Sequence, residues 1–509
     1  MNFIPHISFK NTTKVLHDWL SGDTGLVALA PNAGAQTDFA AAAARKAATY
    51  PAQNRAVLVQ QLREQLGECT PEEVANLELL AQGAYTVTTG HQLIVAGGVA
   101  FFEVKISHAI ALAQSISATG VPTVPVFWMA SEDHDFEEIA SFSYGNRSFT
   151  WDCPHKGEAV GRLCPHSLGT QLAEFFQGEE LTDLQRQRLD LQIAAYKTHD
   201  TLASATQAWV RQVFTPYGLL VLDGDDPALK ATFQHAFAPE LHSALTERIQ
   251  EASTKIETLG YKPQVYTRDI NLFTLAADSD VRKRVEQWSE LEGLSPGEVS
   301  PNALFRPLYQ EVLLPNLAYV GGGGELMYWM QLGGAFEALN IPMPALVLRH
   351  GVQPVSISCD RKLNQLGMTV QEVLESSLDD LVKHKMNHHH LRTEETAKLA
   401  EPLTKAVENW VEQTLEHYPE LSTQVAAWAH KMHNLNIKTL KARYRVVKER
   451  NAVDYERINH VFSELKPNWG MWERQKSTLE MMAILGRCPI AEMVEKMRAE
   501  NTGIWLLRS

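Results

Sequence analysis

The block Tyr85–Glu138 constrains the fold of this 509-residue chain more than any other. An extended apolar run, Tyr85–Thr89, enters a Gly-His-Gln turn and is followed by a helical segment that carries Lys105. A second apolar run, Pro125–Ala130, then ends in an acidic loop. Strand, turn, helix and strand in this order predict a parallel unit whose strands end at one edge of a sheet. Since ligands bind at that edge in open parallel sheets, the block predicts a ligand site at its own turns.

The turn after the first run has the chemistry of an anion site. Glycines let the backbone approach a phosphate, a helix start offers free N–H groups, and a histidine or lysine can neutralise charge. Thr89-Gly90-His91 also has the form of the TxGH motif of nucleotidylyltransferase-like Rossmann folds, in which the histidine binds phosphates. The predicted nucleotide-binding residues of this block are Thr89, Gly90, His91, Gly97, Gly98 and Lys105.

Four ionisable residues follow the second run directly: Glu132, Asp133, His134 and Asp135. Three roles are open for them, namely acid–base chemistry, a pocket for a substrate ammonium group, or a divalent metal site. The alternative without function is a helix N-terminus whose acids complement the helix dipole. We take the four residues as the candidate catalytic set, with His134 as the candidate base toward an amine.

A second strand-to-helix turn lies in the block Leu317–Trp329. Four glycines at 321–324 leave room for a ligand beside the backbone, and a later apolar run, Met343–Leu348, ends in an arginine. A guanidinium fork suits carboxylates and phosphates. This block adds Gly322 and Gly323 to the nucleotide set and predicts substrate binding by Arg306, Glu325, Tyr328 and Arg349. We expect the pocket to lie between the two blocks. Residues 90–105 should bind the phosphate groups of the ligand, and residues 132–135 should bind its amine group.

Charge and hydropathy exclude several classes of protein. The net charge of −14 argues against a nucleic-acid binder or a protein of anionic membranes. No apolar run is long enough to cross a bilayer, and Met1–His6 lacks the basic head and apolar core of a signal peptide. Five scattered cysteines suit a reducing compartment. We therefore expect a cytoplasmic protein without nucleic-acid or membrane partners.

The remaining segments divide the chain around the two blocks. We expect a helical lead-in over 1–84, a Rossmann-like α/β core over 85–140 and 216–368, a connecting insertion over 141–215, a coiled-coil domain over 369–450, and a segment over 451–509 that returns to the core. Thr70 and Pro71 predict a capped helix start within the lead-in. Phe142–Cys153 and Ala159–Cys164 predict an antiparallel strand pair, and Asp280–Glu290 predicts a charged helix.

The coiled-coil prediction depends on apolar residues that alternate in steps of four and three. After Pro419 they are Leu421, Val425, Trp428, Met432, Leu435 and Thr439. This heptad seam predicts two antiparallel helices that bend at Pro419. Because such hairpins commonly dimerise or clamp a partner, we expect a homodimer through the coiled coil.

Other sulfur and imidazole residues give weaker signals. The triplets Cys153–His155 and Cys164–His166 supply soft ligands that suit tetrahedral zinc, but their spacing is not that of a standard zinc site, so ordinary hairpin residues are the alternative. The polar run His388–His390 predicts a solvated loop.

Taken together, five motifs resemble the bacillithiol-biosynthesis cysteine-adding enzymes, the BshC family. They are Thr89–Gln92 with Gly97, Gly98 and Lys105, then Pro125–Ile139, Arg306–Glu311, Gly322–Trp329 and Trp472–Arg474. The resemblance covers nearly the whole chain. It implies a Rossmann-like core with connecting insertions, an antiparallel coiled coil that supports a homodimer, and condensation of cysteine onto glucosaminyl-malate.

The implied reaction makes an amide bond from a free carboxylate, which requires activation. A nucleotide triphosphate is the simplest activator, so we expect ATP or another nucleotide as cofactor, with Mg²⁺ as a candidate ion. Two other classes stay open at this point. One is a nucleotide-sensing scaffold whose coiled coil recruits a partner, and the other is a metal-dependent hydrolase that uses Asp133, His134 and Asp135.

Overall fold

The computed structural model describes residues 2–31, 37–154, 157–275, 280–388, 393–450, 452–498 and 501–509. The chain divides into two units, one formed by Met1–Pro354 with Trp472–Ser509 and the other by Val355–Met471. Its described strands are β1 (Phe3–Pro5), β2 (Tyr85–His91), β3 (Thr123–Met129), β4 (Ser141–Tyr144), β5 (Arg147–Thr150), β6 (Leu220–Asp223), β7 (Leu272–Leu275), β8 (Arg282–Arg284), β9 (Val299–Pro301), β10 (Asn316–Gly321), β11 (Ala345–Leu348), β12 (Gly351–Val355) and β13 (Gly503–Arg508).

The helices occupy most of the remaining chain. In the first half they are α1 (Lys14–Leu20), α2 (Thr24–Leu29), α3 (Phe39–Thr49), α4 (Ala52–Leu66), α5 (Pro71–Ala81), α6 (Phe101–Ala118), α7 (Phe136–Ile139), α8 (His166–Phe175), α9 (Asp183–Thr198), α10 (Leu202–Phe214), α11 (Pro227–Ala231) and α12 (Pro239–Thr258). In the second half they are α13 (Arg306–Leu313), α14 (Gly323–Trp329), α15 (Gly333–Ala338), α16 (Ile357–Leu366), α17 (Val370–Glu375), α18 (Leu378–His388), α19 (Thr393–His417), α20 (Ser422–Arg450), α21 (Ala452–Leu465), α22 (Thr478–Leu485) and α23 (Ile490–Lys496).

A five-stranded parallel sheet forms the centre of the first unit, in the order β11-β10-β2-β3-β6. The chain builds β2, β3 and β6 outward in one direction and then crosses to the other side of β2 to add β10 and β11. This is the Rossmann strand order, and it confirms the predicted fold class. The direction of building reverses between β2 and β10, where an open α/β sheet forms its ligand crevice.

Strand β3 shows why the sheet has helices on both faces. All seven of its residues are buried. Val126 and Trp128 pack into a core that includes helices α4 and α5, whereas Phe127 and Met129 pack into a core that includes α6. Pro125 is tolerated in this central strand because the pairing with β6 begins only at Val126. The backbone N–H that a proline lacks is therefore not needed for a hydrogen bond to β6.

The helical lead-in is confirmed as α1 to α5 within the described residues. Thr70 accepts the amide of Glu73, and the Glu73 carboxylate accepts the amide of Thr70, with Pro71 in the first helical turn. Glu73 also forms an ion pair with Arg211 at 2.8 Å. The cap of α5 therefore connects the lead-in to α10.

The predicted antiparallel pair of Phe142–Cys153 with Ala159–Cys164 is wrong. The hairpin closes within β4 and β5, with Tyr144 opposite Arg147, because Gly145 takes a left-handed conformation that a two-residue turn favours. Residues 160–162 form a 3₁₀ turn instead. The amides of Val160 and Gly161 donate to the carbonyls of Asp133 (2.6 Å) and Ser131 (2.8 Å), so this segment supports the acidic loop.

The predicted charged helix Asp280–Glu290 is also wrong. Residues 282–284 form β8, which pairs with β7 in a small antiparallel sheet of order β8-β7-β9, and a 3₁₀ turn follows at Trp288–Leu291. Val285 is buried in the apolar cluster of this sheet together with Leu272. Pairing with a neighbouring strand has overridden the helical preference of the charged residues.

The second unit contains the predicted helical hairpin. Helices α19 and α20 are joined by a 3₁₀ turn that begins at Pro419, and the rings of Trp410 and Trp428 lie 4.4 Å apart across the hairpin. The hairpin is confirmed, while supercoiling of its helices stays a prediction. Over the part of the chain that the structure describes, no helix combines the length and apolarity needed to span a membrane.

We expect Thr70→Ala to lower the free energy of unfolding by about 0.5–2 kcal/mol, because it removes the side-chain acceptor from the first turn of α5. Thermal unfolding followed by circular dichroism measures the change. Thr254→Ala is the matched control, since this exposed hydroxyl only bonds back to the Gln250 carbonyl within its own helix. Equal melting temperatures for the two variants would contradict the role of the cap.

Candidate functional site

The carboxyl ends of the five parallel strands carry two groups of charged residues. One group surrounds the ends of β2, β10 and β11, and we call it the cationic half. It contains Lys105, Arg306, Glu325, Arg349 and Arg474. The other follows β3 and β6, and we call it the acidic half. It contains Glu132, Asp133, His134, Asp223, Asp225, Lys230 and Arg282.

A buried ion pair lies at the centre of the cationic half. Lys105 Nζ donates to Glu325 Oε2 at 2.6 Å and to the Gly90 carbonyl at 2.7 Å, and its side chain is only 3% exposed. Glu325 also accepts the Tyr319 hydroxyl and the Gly322 amide, each at 2.9 Å. Burial alone would raise the pKa of Glu325, but the charge and hydrogen bond of Lys105 hold that pKa at about 2. The pair ties the two glycine turns together.

Arg306 has only neutral hydrogen-bond partners. Its guanidinium donates to Gln310 Oε1 at 2.9 Å and to the Tyr328 hydroxyl at 3.4 Å. A Cβ built on Gly90 would lie 3.6 Å from Arg306 Nη1, so the guanidinium reaches the end of β2. The structure thus brings together Gly90, Arg306 and Tyr328, as the sequence predicts.

The guanidinium groups of Arg349 and Arg474 both lie near the Phe101 ring, at 5.3 Å and 5.9 Å from its centroid. Arg349 is buried and forms an ion pair with Glu473 at 2.6 Å. Arg474 is exposed. Among the residues that the structure describes, no carboxylate forms an ion pair with Arg474 or with Arg306. The Glu325 carboxylate acts on both guanidinium groups only from a longer distance.

His91 is a neutral ring in this environment. Burial and the neighbouring charge of Lys105 lower the pKa of His91 to about 4. Its Nδ1 lies 3.0 Å from the Gln92 carbonyl, and its ring contacts Phe101 and Phe102. His91 therefore adds no positive charge at this edge.

The glycines of the two predicted turns differ in the structural reason for having no side chain. Gly97 and Gly98 have φ angles of +74° and +53°, and a Cβ on Gly98 would meet Ile94 Cγ2 at 2.2 Å, so the turn and its packing alone demand glycine there. Thr89 is buried and donates its hydroxyl to the Val320 carbonyl of β10 at 2.8 Å. A Cβ on Gly323 would meet Leu16, whereas Gly324 faces open space.

Asp133 is the best-fixed carboxylate of the acidic half. Its Oδ2 accepts Gln92 Nε2 at 2.6 Å, and its Oδ1 accepts the amide of His134 at 2.7 Å. Burial opposes ionisation, but the Gln92 hydrogen bond and the charge of Arg282 hold the pKa of Asp133 below its usual range. Asp135 instead caps α7 by accepting the Glu138 amide at 3.4 Å, which is the non-functional role considered above.

Lys230 joins the two carboxylates that face each other behind the acidic loop. Its Nζ lies 2.6 Å from both Glu132 and Asp225, and its side chain is 1% exposed. Arg162 binds Asp225 from the other side at 2.8 Å. Asp223, which accepts the hydroxyl of Ser131, has a pKa raised to about 6 by burial and by the charge of Asp225.

Sequence reasoning missed Lys230, Arg282, Glu473 and Arg474 as members of this edge. Lys230 follows the acidic end of β6 by seven residues, which is a usable signal. Arg282 had none, because it lies on β8 in a segment expected to be helical. Glu473 and Arg474 belong to the motif Trp472–Arg474, which was noted only for its resemblance.

The donor sets do not suit a metal ion. In the described ranges, no group of three or more His, Cys, Asp or Glu residues is arranged to hold one. The carboxylates Glu132, Asp133 and Asp225 each lie against a lysine or arginine, which competes with a divalent cation. Of the suggested zinc ligands, His155 lies outside the described residues. Of the predicted loop His388–His390, His388 ends helix α18 instead, and the other two residues lie outside the described part of the chain.

Comparisons with known proteins agree with this architecture. A family model described as "Bacillithiol biosynthesis BshC, N-terminal Rossmann-like domain" matches residues 3–350. A protein of Flavobacterium johnsoniae named "Putative cysteine ligase BshC" is 30% identical over 519 aligned positions, which cover 96% of this chain and 95% of that protein. A protein of the same name from Christiangramia forsetii is 31% identical, with 90% of each chain covered.

We expect Lys105→Met to cost about 1–3 kcal/mol of stability, because it removes the counter-charge and a hydrogen bond from the half-buried Glu325 carboxylate. The double variant Lys105→Met with Glu325→Gln should recover part of the loss. Melting temperature measures both effects. Lys14→Met is the control, since its ion pair with Asp18 is at the surface and its loss should leave the melting temperature unchanged. A Lys105→Met variant as stable as that control would refute the central role of the pair.

Gly161→Ala should destabilise the acidic loop. The added Cβ would lie 2.5 Å from Ser131 Cβ and 2.8 Å from its carbonyl oxygen, an overpacking that costs about 1–3 kcal/mol. Gly324→Ala is the control, because its Cβ meets nothing within 4 Å and alanine favours a helix over glycine by about 0.5–1 kcal/mol. Urea unfolding should therefore move the two midpoints in opposite directions, and a shared direction would contradict the close contact.

Proposed function

This chain belongs to the bacillithiol biosynthesis BshC family, and from that premise we propose that it is a ligase that joins cysteine to glucosaminyl-malate with the help of a nucleotide. The amine of the glucosaminyl group attacks the carbonyl carbon of cysteine, the activated oxygen leaves, and the amine loses a proton. A bound nucleotide supplies the activation by giving the carboxylate oxygen a phosphate-type leaving group. The protein's own residues bind and orient the charged reactants.

The observation that carries the proposal is that two guanidinium groups, those of Arg306 and Arg474, form no ion pair with a carboxylate of the described residues. Arg306 lies at the end of β2 and Arg474 at the exposed rim beside Phe101. The malyl group, the cysteine carboxylate and a nucleotide all carry negative charge that a guanidinium can bind through two parallel hydrogen bonds. We assign the carboxylates of glucosaminyl-malate and the phosphates of the nucleotide to the cationic half.

The acidic half suits the amine groups of the substrates. Asp133 stays ionised, and its side chain is 29% exposed, so an ammonium group can reach it. Glu132 is held behind it by Lys230 and forms the wall of the site rather than its open face. The proposed pocket therefore binds anionic groups on the β10 side and ammonium groups on the β3 side.

Phosphates would be held by Arg306 and the turn at Gly322 and Gly323. The space in front of Gly324 supports this assignment, since a Cβ there would meet no atom within 4 Å. The acidic loop does not offer a donor set for Mg²⁺, so the proposal contains no step on a metal bound to that loop.

We also propose a cytoplasmic homodimer. Four apolar residues of the hairpin in the second unit stay solvent-exposed in the single chain: Trp428 (38%), Trp410 (44%), Leu403 (50%) and Leu435 (57%). A row of this kind is typical of a protein interface. All five cysteines are free thiols, which suits a reducing compartment.

The test is a reaction of the purified protein with cysteine, glucosaminyl-malate and ATP, with bacillithiol detected by mass spectrometry. We expect Arg306→Met to reduce kcat/KM about 10- to 100-fold, because a charged hydrogen bond contributes about 1.5–3 kcal/mol. Arg284→Met, on an exposed position of β8, is the control and should keep wild-type activity.

Each outcome decides a different part of the proposal. Product that forms equally well without any nucleotide would refute the activation step alone. Absence of product with every nucleotide tested would refute the ligase function. Full activity of Arg306→Met would refute the assignment of the cationic half.

A further inference from the structure

Arg282, on strand β8 of the small antiparallel sheet, contacts the imidazole ring of His134 in the acidic loop. Arg282 Nη1 lies 3.3 Å from His134 Nδ1, with the geometry of a hydrogen bond. The same guanidinium donates from Nη2 to the Pro301 carbonyl at 2.7 Å and lies 4.0 Å from the centroid of the Phe273 ring. The contact between Arg282 and His134 is therefore made by a group whose own position is fixed.

All three strands of the small sheet fix that position. Arg282 itself lies on β8, Phe273 on β7 and Pro301 on β9. Its side chain is 8% exposed, so little room remains for another rotamer. The His134 ring also packs against Phe273, with a centroid distance of 5.5 Å.

The chemistry of the contact decides which nitrogen of His134 carries the proton. A guanidinium has five N–H donors and no acceptor, and it stays charged in proteins. Nδ1 must therefore offer its lone pair to Arg282, which leaves the proton of the neutral ring on Nε2.

The competing arrangement would place the proton on Nδ1 and direct it to Asp133. His134 Nδ1 lies 3.5 Å from Asp133 Oδ1, which is longer than its distance of 3.3 Å from Arg282 Nη1. The same oxygen, Asp133 Oδ1, already accepts the amides of His134 at 2.7 Å and of Asp135 at 3.3 Å. Asp133 is thus occupied by the backbone, and the tautomer with the proton on Nε2 is favoured.

We propose that Arg282 is a positioning residue that fixes His134 in the Nε2–H tautomer, so that His134 acts as a hydrogen-bond donor to a ligand oxygen. This changes the role expected from the sequence, in which His134 is a base toward an amine. The tautomer follows from the contacts alone, whereas the role as a donor to substrate or nucleotide rests on the proposed function. His134 would then bind a ligand oxygen within the acidic half.

Nitrogen-15 NMR of the ¹⁵N-histidine-labelled full-length protein tests the tautomer without any substrate. The spectrum is recorded above pH 8, where an ordinary histidine is neutral. His134 is assigned by the signal that disappears in His134→Gln. We expect Nε2 to have the shift of a protonated nitrogen and Nδ1 that of an unprotonated one.

Arg282→Met removes the donor while keeping an apolar chain against Phe273. Its His134 signals should move toward the Nδ1–H form, because Asp133 becomes the nearest partner. Lys283→Met, on the exposed neighbour of the same strand, is the control and should leave the His134 signals in place. The other histidine signals report whether each variant keeps its fold.

Two results would overturn the proposal. One is a wild-type spectrum with the proton on Nδ1, which needs no variant to interpret. The other is a folded Arg282→Met variant whose His134 signals match the wild type. Because neither measurement depends on turnover, failure of the ligase reaction leaves the tautomer result intact.

Discussion

The ligand edge of the sheet depends on one buried cation. Lys105 reaches from α6 to a carbonyl at the end of β2 and to the carboxylate that caps α14. Burial of the Lys105 ammonium costs several kcal/mol of hydration, and the charge of Glu325 together with the Gly90 carbonyl offsets that cost. Tyr319 and the Gly322 amide complete the bonding of Glu325. Two turns more than 200 residues apart in sequence thereby form one surface.

Compensation of charge differs between the two halves of that surface. Behind the acidic loop, Lys230 faces Glu132 and Asp225, and Arg162 adds a second cation. At the other half, Arg306 and Arg474 face no carboxylate partner among the described residues. A local excess of positive charge in a chain of net charge −14 concentrates anionic ligands at one place on its surface.

Local patterns made much of the fold predictable. Apolar runs that end in glycine, in acid or in arginine identified β2, β3, β10 and β11, and Thr70 with Pro71 identified the start of α5. Pairings between distant segments could not be predicted in this way. Nothing near Lys105 in sequence indicates Glu325 as its partner, and the charged run around Arg282 has the composition of a helix although it pairs as a strand. The residues of the site were therefore easier to find than their partners.

The sheet β1-β13-β12 joins the two ends of the described chain, with Phe3 opposite Trp505 and β13 as the middle strand. Neither β1 nor β12 has its partner until the residues of β13 have been synthesised. At ribosomal rates of roughly 5–20 residues per second, β1 waits about 25–100 s for that strand. During this time its backbone groups are an open edge that a chaperone or another nascent chain can pair with. Closure of this sheet must accordingly follow the synthesis of all five strands of the parallel sheet.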